Sequence, residues 1–337
     1  MARAETPTMK DVAREAGVSL GTVSKVINNI PVGQSYRQKV ELAAKKPGYQ
    51  VNRSARGLRT NRTFAIGLIW TSLNDPYYAI LAREIVAELA KRNYRVIMLP
   101  EVDGGGTGFT NTIQRSTGVD GFIVLNERPL PNNELALPAV SVGQNWGNGV
   151  PCITADSFGG GRLAAETLYN SGCHKLLYLG SCADPASEAN KRLAGFETYC
   201  RERDIPFETF LPADADSEEV FLRYLVDHIP SGAWSFDGVF CMNDRLANDI
   251  QSYLMLLGVH VPEDVQIIGF GGMKSMVTNR PICSSIELPV KSMAAAASDI
   301  ILNGPPAGCT TFVFPVSFLE GGTTGNKRTD AAAKTTV

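Results

Sequence analysis

Two short apolar stripes at helical spacing open the chain. Val12, Ala13 and Ala16 fall on one helix face, and Val23, Val26 and Ile27 fall on another. Between them Gly17 stands where the chain must turn sharply, which favours a residue free to take positive φ. Val18 is placed to plug that turn from inside, and Ala13 is small enough for a second helix to come close. Thr8 with Asp11, and Ser35 with Gln38, have the spacing of capping boxes. Ser19 is a good N-cap for the second helix. A third helix is expected from Ser35, stopping before Pro47-Gly48, because proline lacks an amide donor and clashes with the preceding turn. The pattern predicts a helix, a tight turn and a second helix whose outer face carries Leu20, Gly21, Thr22, Ser24 and Lys25. Such a helix-turn-helix is the shape that enters a DNA major groove.

From residue 64 onward the pattern changes. Short apolar runs alternate with amphipathic helices, the sign of an α/β protein with parallel sheets. Strands are expected at 64–70, 95–99, 121–125, 139–142, 175–179, 238–241 and 265–270. Helices are expected at 77–92, near 161–170, and at 191–203 and 244–257. Two blocks of similar order predict a two-lobed core behind a small all-α head. The expected division is a DNA-binding domain over 1–50, a hinge over 51–61 and a core over 62–322. Within the core, one lobe takes 62–159 and 289–314, the other 160–288 and 315–322. The tail 323–337 has few apolar residues to bury and is expected to be disordered.

Charge sharpens the reading of the head. Residues 1–62 carry twelve Lys or Arg and four acids, a balance of +8; the whole chain is −2, so the remainder carries −10. A basic head on an acidic body is the footprint of a phosphate-binding module fused to something else. The 337 residues exceed one ordinary domain. No apolar run approaches the ~20 residues a membrane helix needs, and the polar start lacks a signal-peptide core. Seven scattered cysteines, without a Cys-x-x-Cys pair, suit free thiols in a reducing cytoplasm. Three isolated histidines support neither a metal site nor a Ser–His–Asp arrangement. Gly104 to Gly108 forms neither a dinucleotide fingerprint nor a P-loop. Neither a cofactor nor an enzymatic activity is expected.

Met9 to Asn28 matches throughout the N-terminal pattern of the LacI family of bacterial regulators, which this chain resembles. The family's hinge resembles Tyr49-Gln-Val-Asn-Arg-Ser-Ala-Arg-Gly-Leu58, with Val51 in place of the usual proline. In the core, Asn74-Asp-Pro-Tyr-Tyr78, Asp120-Gly-Phe-Ile123, Asp156 to Leu168, Lys191-Arg-Leu-Ala-Gly-Phe196, Asn243-Asp244 and Gly258 to Phe270 resemble the family's core, which is shared with periplasmic binding proteins. The resemblance implies base reading by Leu20, Gly21 and Lys25, with backbone anchoring by Thr8, Ser19, Thr22, Ser24 and Asn28. It implies a hinge helix in which Asn52, Ala55, Arg56 and Leu58 meet the minor groove, Leu58 entering between base pairs. It implies an effector cleft lined by Tyr77, Tyr78, Asn126, Asp156, Arg192, Asn243 and Asp244. Gly269-Phe-Gly-Gly272 departs from the family's Gly-Phe/Tyr-Asp-Asp/Asn. A carboxylate that usually touches the effector is therefore absent at Gly271. An acidic or phosphorylated ligand would suit the charge that this leaves beside Arg192.

The reading that results is a ligand-responsive repressor, cytoplasmic and without membrane contact. It binds operator DNA as a homodimer, with a sugar, sugar phosphate or related small molecule as effector. The alternative is a solute-binding receptor of the same core fold without DNA function; it would need a secretion signal and no basic head.

The hinge yields a test. A segment as short as 52–59 is marginal as a helix alone, below the ~12 residues an isolated helix needs in water. Its ordering is expected only in the DNA complex, where the hinge's apolar residues find a surface. Leu58→Ala should greatly weaken operator binding while leaving effector affinity unchanged. Hydrogen exchange should show hinge amides protected only with operator present; protection in the free protein would contradict the coupling.

Overall fold

A computed structural model describes residues 8–27, 30–45, 62–70, 76–100, 118–126, 137–145, 149–181, 187–213, 218–229, 235–275, 277–308 and 310–325. The chain divides into two units, 1–64 and 65–337.

The head is three helices: α1 (Met9–Ala16), α2 (Leu20–Ile27) and α3 (Gln34–Lys45). Asp11 accepts from the backbone N–H of Thr8 at 2.9 Å and from its hydroxyl at 2.7 Å. These bonds, the backbone one foremost, and the Arg14 guanidinium hold the Asp11 carboxyl below its usual range. Gly17 takes the left-handed conformation that ends α1, at φ 63°, and the Val18 N–H reaches back to the Ala13 carbonyl at 3.1 Å. Ser19 Oγ accepts from Thr22 N at 3.1 Å and so starts α2. Val12, Ala13, Val23, Val26, Val40 and Ala43 form the buried centre, so each helix contributes two residues.

The second unit holds two parallel sheets. Its elements in chain order are β1 (Ala65–Trp70), α4 (Pro76–Lys91), β2 (Arg95–Pro100), β3 (Gly121–Asn126), β4 (Ala139–Gly143), β5 (Cys152–Ala155) and α5 (Ser157–Asn170). Then come β6 (Leu176–Leu179), α6 (Glu188–Glu202), β7 (Phe207–Phe210), α7 (Glu218–His228), β8 (Gly238–Cys241) and α8 (Asp244–Leu256). The last are β9 (Gln266–Gly271), β10 (Ser284–Glu287), α9 (Val290–Asn303), β11 (Thr311–Phe314) and β12 (Ser317–Leu319). The first lobe's sheet runs β11-β5-β4-β3-β1-β2, parallel throughout. The second lobe's sheet runs β12-β10-β9-β8-β6-β7, with only β12 antiparallel. The central strands are nearly continuous apolar runs because helices cover the sheets: α4 and α9 pack on the first lobe, α5 and α8 on the second. The chain crosses between lobes three times: at Asp156, between β10 and α9, and between β11 and β12.

Two helices begin earlier than their apolar periodicity suggested. α5 starts at Ser157, capped by Asp156, and α6 starts at Glu188, capped by Ser187, whose Oγ accepts from Asn190 N at 3.2 Å. The expectation of a tail disordered from 323 needs correcting for its first residues. Thr323 and Thr324 are buried, and residues 321–325 are built into the second lobe. The Thr323 hydroxyl donates to the Ile267 carbonyl at 2.7 Å and accepts from Ser284 N at 2.8 Å, joining β9 to the edge of β10. Gln266 holds the segment further along, accepting from Gly325 N at 3.1 Å. Small polar residues were read as having nothing to bury, yet here they supply hydrogen bonds rather than apolar area.

Thr323→Val keeps the volume but strands two buried backbone groups. Each unsatisfied group costs about 1–3 kcal/mol. Denaturant unfolding should show a loss of about 2–4 kcal/mol; a change under 1 kcal/mol would contradict a bridging role for this hydroxyl.

Candidate functional site

In the head, α2 presents Leu20, Gly21 and Lys25 outward while Val23 and Val26 anchor it. Leu20 is 45% exposed. Thr22 and Ser24 are half-buried on the flanks, and Ser19 and Thr22 share a hydroxyl hydrogen bond of 2.9 Å. The Thr8 hydroxyl is engaged by Asp11. Gly21 has only Ser19 Oγ near its missing Cβ, at 3.7 Å, so the surface there is open to close approach. Asn28, Asn52, Ala55, Arg56 and Leu58 lie outside the described residues.

The core's candidate site lies at the carboxyl ends of the parallel strands, where open α/β sheets take ligands. Its centre is Arg192 on α6. Its Nη1 donates to the Met242 carbonyl, just past β8, at 2.7 Å. Its guanidinium carbon lies 4.0 Å from the ring centroid of Phe270 on β9. Its Nε is buried and has no hydrogen-bond partner. One turn earlier, Glu188 opens α6. Its Oε1 pairs with Lys191 at 2.6 Å, and its Oε2 is buried without a partner. Residues four apart share a helix face, so Glu188 and Arg192 project the same way.

The two lobes meet electrically at this point. Burial first, and then the Glu188 carboxylate, push the Cys152 thiol on β5 up to about 11; Ser141 and Lys191 act in the opposite sense. β5 belongs to one lobe and α6 to the other, so the start of α6 faces the first lobe. On that lobe Trp70 ends β1 with its indole Nε1 buried and unpartnered. At the start of α4, Tyr78 is buried and Tyr77 half-buried, their ring centroids 5.2 Å apart in an edge-on arrangement. Asn126 ends β3, at the same carboxyl edge of the sheet.

Three of the residues expected to line the cleft also make internal hydrogen bonds. The Asp156 carboxylate caps α5, accepting from Gly159 N at 2.8 Å. Asn243 Oδ1 caps α8, accepting from Leu246 N at 2.9 Å. Asp244 is 1% exposed. Its carboxylate accepts from Ser285 Oγ at 2.5 Å, from Met273 N at 2.6 Å and from the Cys283 thiol at 3.7 Å. Two glycines of the 269–272 segment pack against this same carboxylate. A Cβ on Gly269 would lie 2.2 Å from Asp244 Oδ1, and one on Gly271 would lie 3.1 Å from Oδ2. Gly271 also takes φ 142°, which side-chain-bearing residues rarely adopt. The glycines leave room for Asp244. Glu188 and Trp70 escaped sequence reading because nothing but burial distinguishes them from an ordinary helix-start acid and a strand aromatic. The signal that could have found Glu188 is its place four residues before Arg192. Among the described residues no group of three or more His, Cys, Asp or Glu could hold a metal ion, and no helix is long and apolar enough to cross a membrane.

A helix-turn-helix joined to a two-lobed, parallel-sheet binding core defines a class of ligand-linked DNA-binding protein. Residues 8–52 match the family described as bacterial regulatory proteins, lacI family, and residues 165–324 match the periplasmic binding protein-like domain. Over these two segments the chain is similar to lacI-family regulators and to periplasmic binding protein-like domains. A relative is the sucrose operon repressor of Pediococcus pentosaceus, 27% identical over 94% of this chain and 98% of the relative. Among solved structures, the Lac repressor dimer bound to operator and the anti-inducer ONPF aligns with a TM-score of 0.73 at 21% identity, covering 95% of this chain and all of that one. The transcriptional regulator CelR–cellobiose complex aligns with a TM-score of 0.65 at 24% identity, covering 94% and 99%.

Arg192 is positioned by two glycines. A Cβ on Gly195 would lie 2.0 Å from the Phe158 carbonyl oxygen, and one on Gly161 would lie 1.9 Å from the carbonyl oxygen of Arg192 itself. The backbones of α5 and α6 therefore touch. Gly195→Ala must push them apart, at a cost of about 1–3 kcal/mol by overpacking. Thermal unfolding should show this loss, and calorimetric titration should show ligand affinity falling as the Arg192 carbonyl and side chain shift. Unchanged stability would refute the close contact.

Proposed function

We propose that this protein is a transcriptional repressor that binds a pseudo-palindromic operator as a homodimer and is controlled by a small molecule, a sugar or sugar derivative, in the cleft of its core. The observation that carries this reading is the head. A buried apolar centre holds α2 so that Leu20, Gly21 and Lys25 face outward, within the segment that matches the lacI family. The +8 charge of residues 1–62 adds the attraction to phosphates. Buried unpartnered polar atoms of Trp70, Glu188 and Arg192 support a polar ligand in the cleft. The CelR complex with cellobiose and the sucrose operon repressor place sugars and sugar operons among similar proteins. Dimerisation through the core is supported by the Lac repressor dimer among the similar structures. This function has its place in the cytoplasm, needs no cofactor and makes no covalent change to the ligand.

Selection of bound sequences from random DNA, followed by sedimentation of the protein, tests the reading. The expected outcome is a dimer and an inverted repeat whose half-sites are spaced by helical turns. Lys25→Ala should relax preference at one base pair per half-site, costing about 1–3 kcal/mol there if it makes a bidentate contact. Equal loss on operator and random DNA would remove base reading from Lys25. A monomer without sequence preference would sink the repressor reading and favour a receptor.

A further inference from the structure

The cleft's charge pattern points to a particular ligand chemistry. Arg192 uses Nη1 on the Met242 carbonyl and one face of its guanidinium on Phe270. What remains is the side-on edge formed by Nε and Nη2, with Nε buried and unpartnered. That edge offers two parallel N–H donors, the geometry that matches a planar carboxylate. Among the described residues no carboxylate takes it. Asp244 is buried and accepts from Ser285, Met273 and Cys283. Position 271, where the family resemblance puts an acid, is a glycine. Glu188 gives one oxygen to Lys191 and keeps the other buried and unpaired. Among the described residues, a guanidinium edge without a hydrogen-bond partner and, one turn earlier on the same helix face, a carboxylate oxygen without a donor make an arrangement that a ligand with both an anionic group and a hydroxyl would complete.

We propose that the effector is a sugar acid, an aldonate or uronate. Its carboxylate takes the Nε–Nη2 edge of Arg192, and a neighbouring hydroxyl donates to Glu188 Oε2. A phosphate monoester fits less well, because its second negative charge would face Glu188 with a single free guanidinium to answer it. The proposal rests on the effector-controlled reading above and narrows it.

Full-length protein titrated by calorimetry and thermal unfolding tests it. The probes are D-gluconate and D-galacturonate, with D-glucose and D-galactose as neutral counterparts and D-glucose 6-phosphate as the anionic control, at one ionic strength. At least one acid should raise the unfolding midpoint dose-dependently and bind roughly tenfold or more tighter than its neutral counterpart, the scale of a charge-assisted contact. Arg192→Gln and Arg192→Lys should both erase that preference, lysine because it cannot present the fork. The midpoint of each variant without ligand reports whether it has folded. Glu188→Ala should weaken the neutral sugar more than the acid, because both lose a hydroxyl acceptor but only the acid is relieved of a nearby negative charge. Neutral sugars binding as tightly as the acids, preference for the phosphate, acid affinity untouched in Arg192→Gln, or no shift from either acid would each overturn the proposal. Binding of the selected palindrome is measured on the same preparation. Palindrome binding released by neutral sugars would leave the repressor reading standing and the sugar-acid proposal fallen. Arg192-dependent acid binding without any palindrome binding would do the reverse.

Discussion

The contact on which the candidate cleft depends is the crossing of α5 and α6 at Gly161 and Gly195. Each glycine lies where a single methyl group would overlap a backbone atom of the other helix. The two helices are thereby locked at backbone distance, and α6 has no freedom to slide or roll. That fixes the first turn of α6, and with it Glu188 and Arg192, relative to Met242 and Phe270 at the ends of β8 and β9. Direct backbone contact leaves less room for adjustment than contact through flexible side chains. A guanidinium that must meet a planar partner on one edge needs that kind of support.

A second constraint follows from where charge is allowed. Asp244 sits beside Arg192's neighbours yet is withdrawn from the cleft by three donors and walled by Gly269 and Gly271. Its negative charge is spent holding the 271–273 turn to the start of α8 and to β10. Burial beside it drives the Cys241 and Cys283 thiols far above their ordinary range, so both remain neutral packing groups. The lobe thus keeps an acid next to the site without lending it to the site.

What was legible in the sequence was what local chemistry decides. The helix-turn-helix could be read because Thr8, Asp11, Gly17 and Ser19 each act within a few residues of themselves. Four helices and seven strands of the core were readable from period and composition, whereas α7, α9 and the strands β5, β7, β10, β11 and β12 were not. Their place is set by partners far away in the chain. Asn243 and Asp156 each cap the helix that follows them, a local role legible from residue type and position alone. Glu188 was invisible because its chemistry comes from burial against the other lobe, which no local window contains.

The buried Thr323 bridge has a consequence for how the chain is assembled during synthesis. Neither lobe is continuous in sequence: the first waits for β11, and the second waits for β12 and for residues 321–325 to seat against β9 and β10. The head, by contrast, is finished by residue 45. A nascent chain therefore carries the finished three-helix head through most of its synthesis, while both lobes of the core are among the last parts to close.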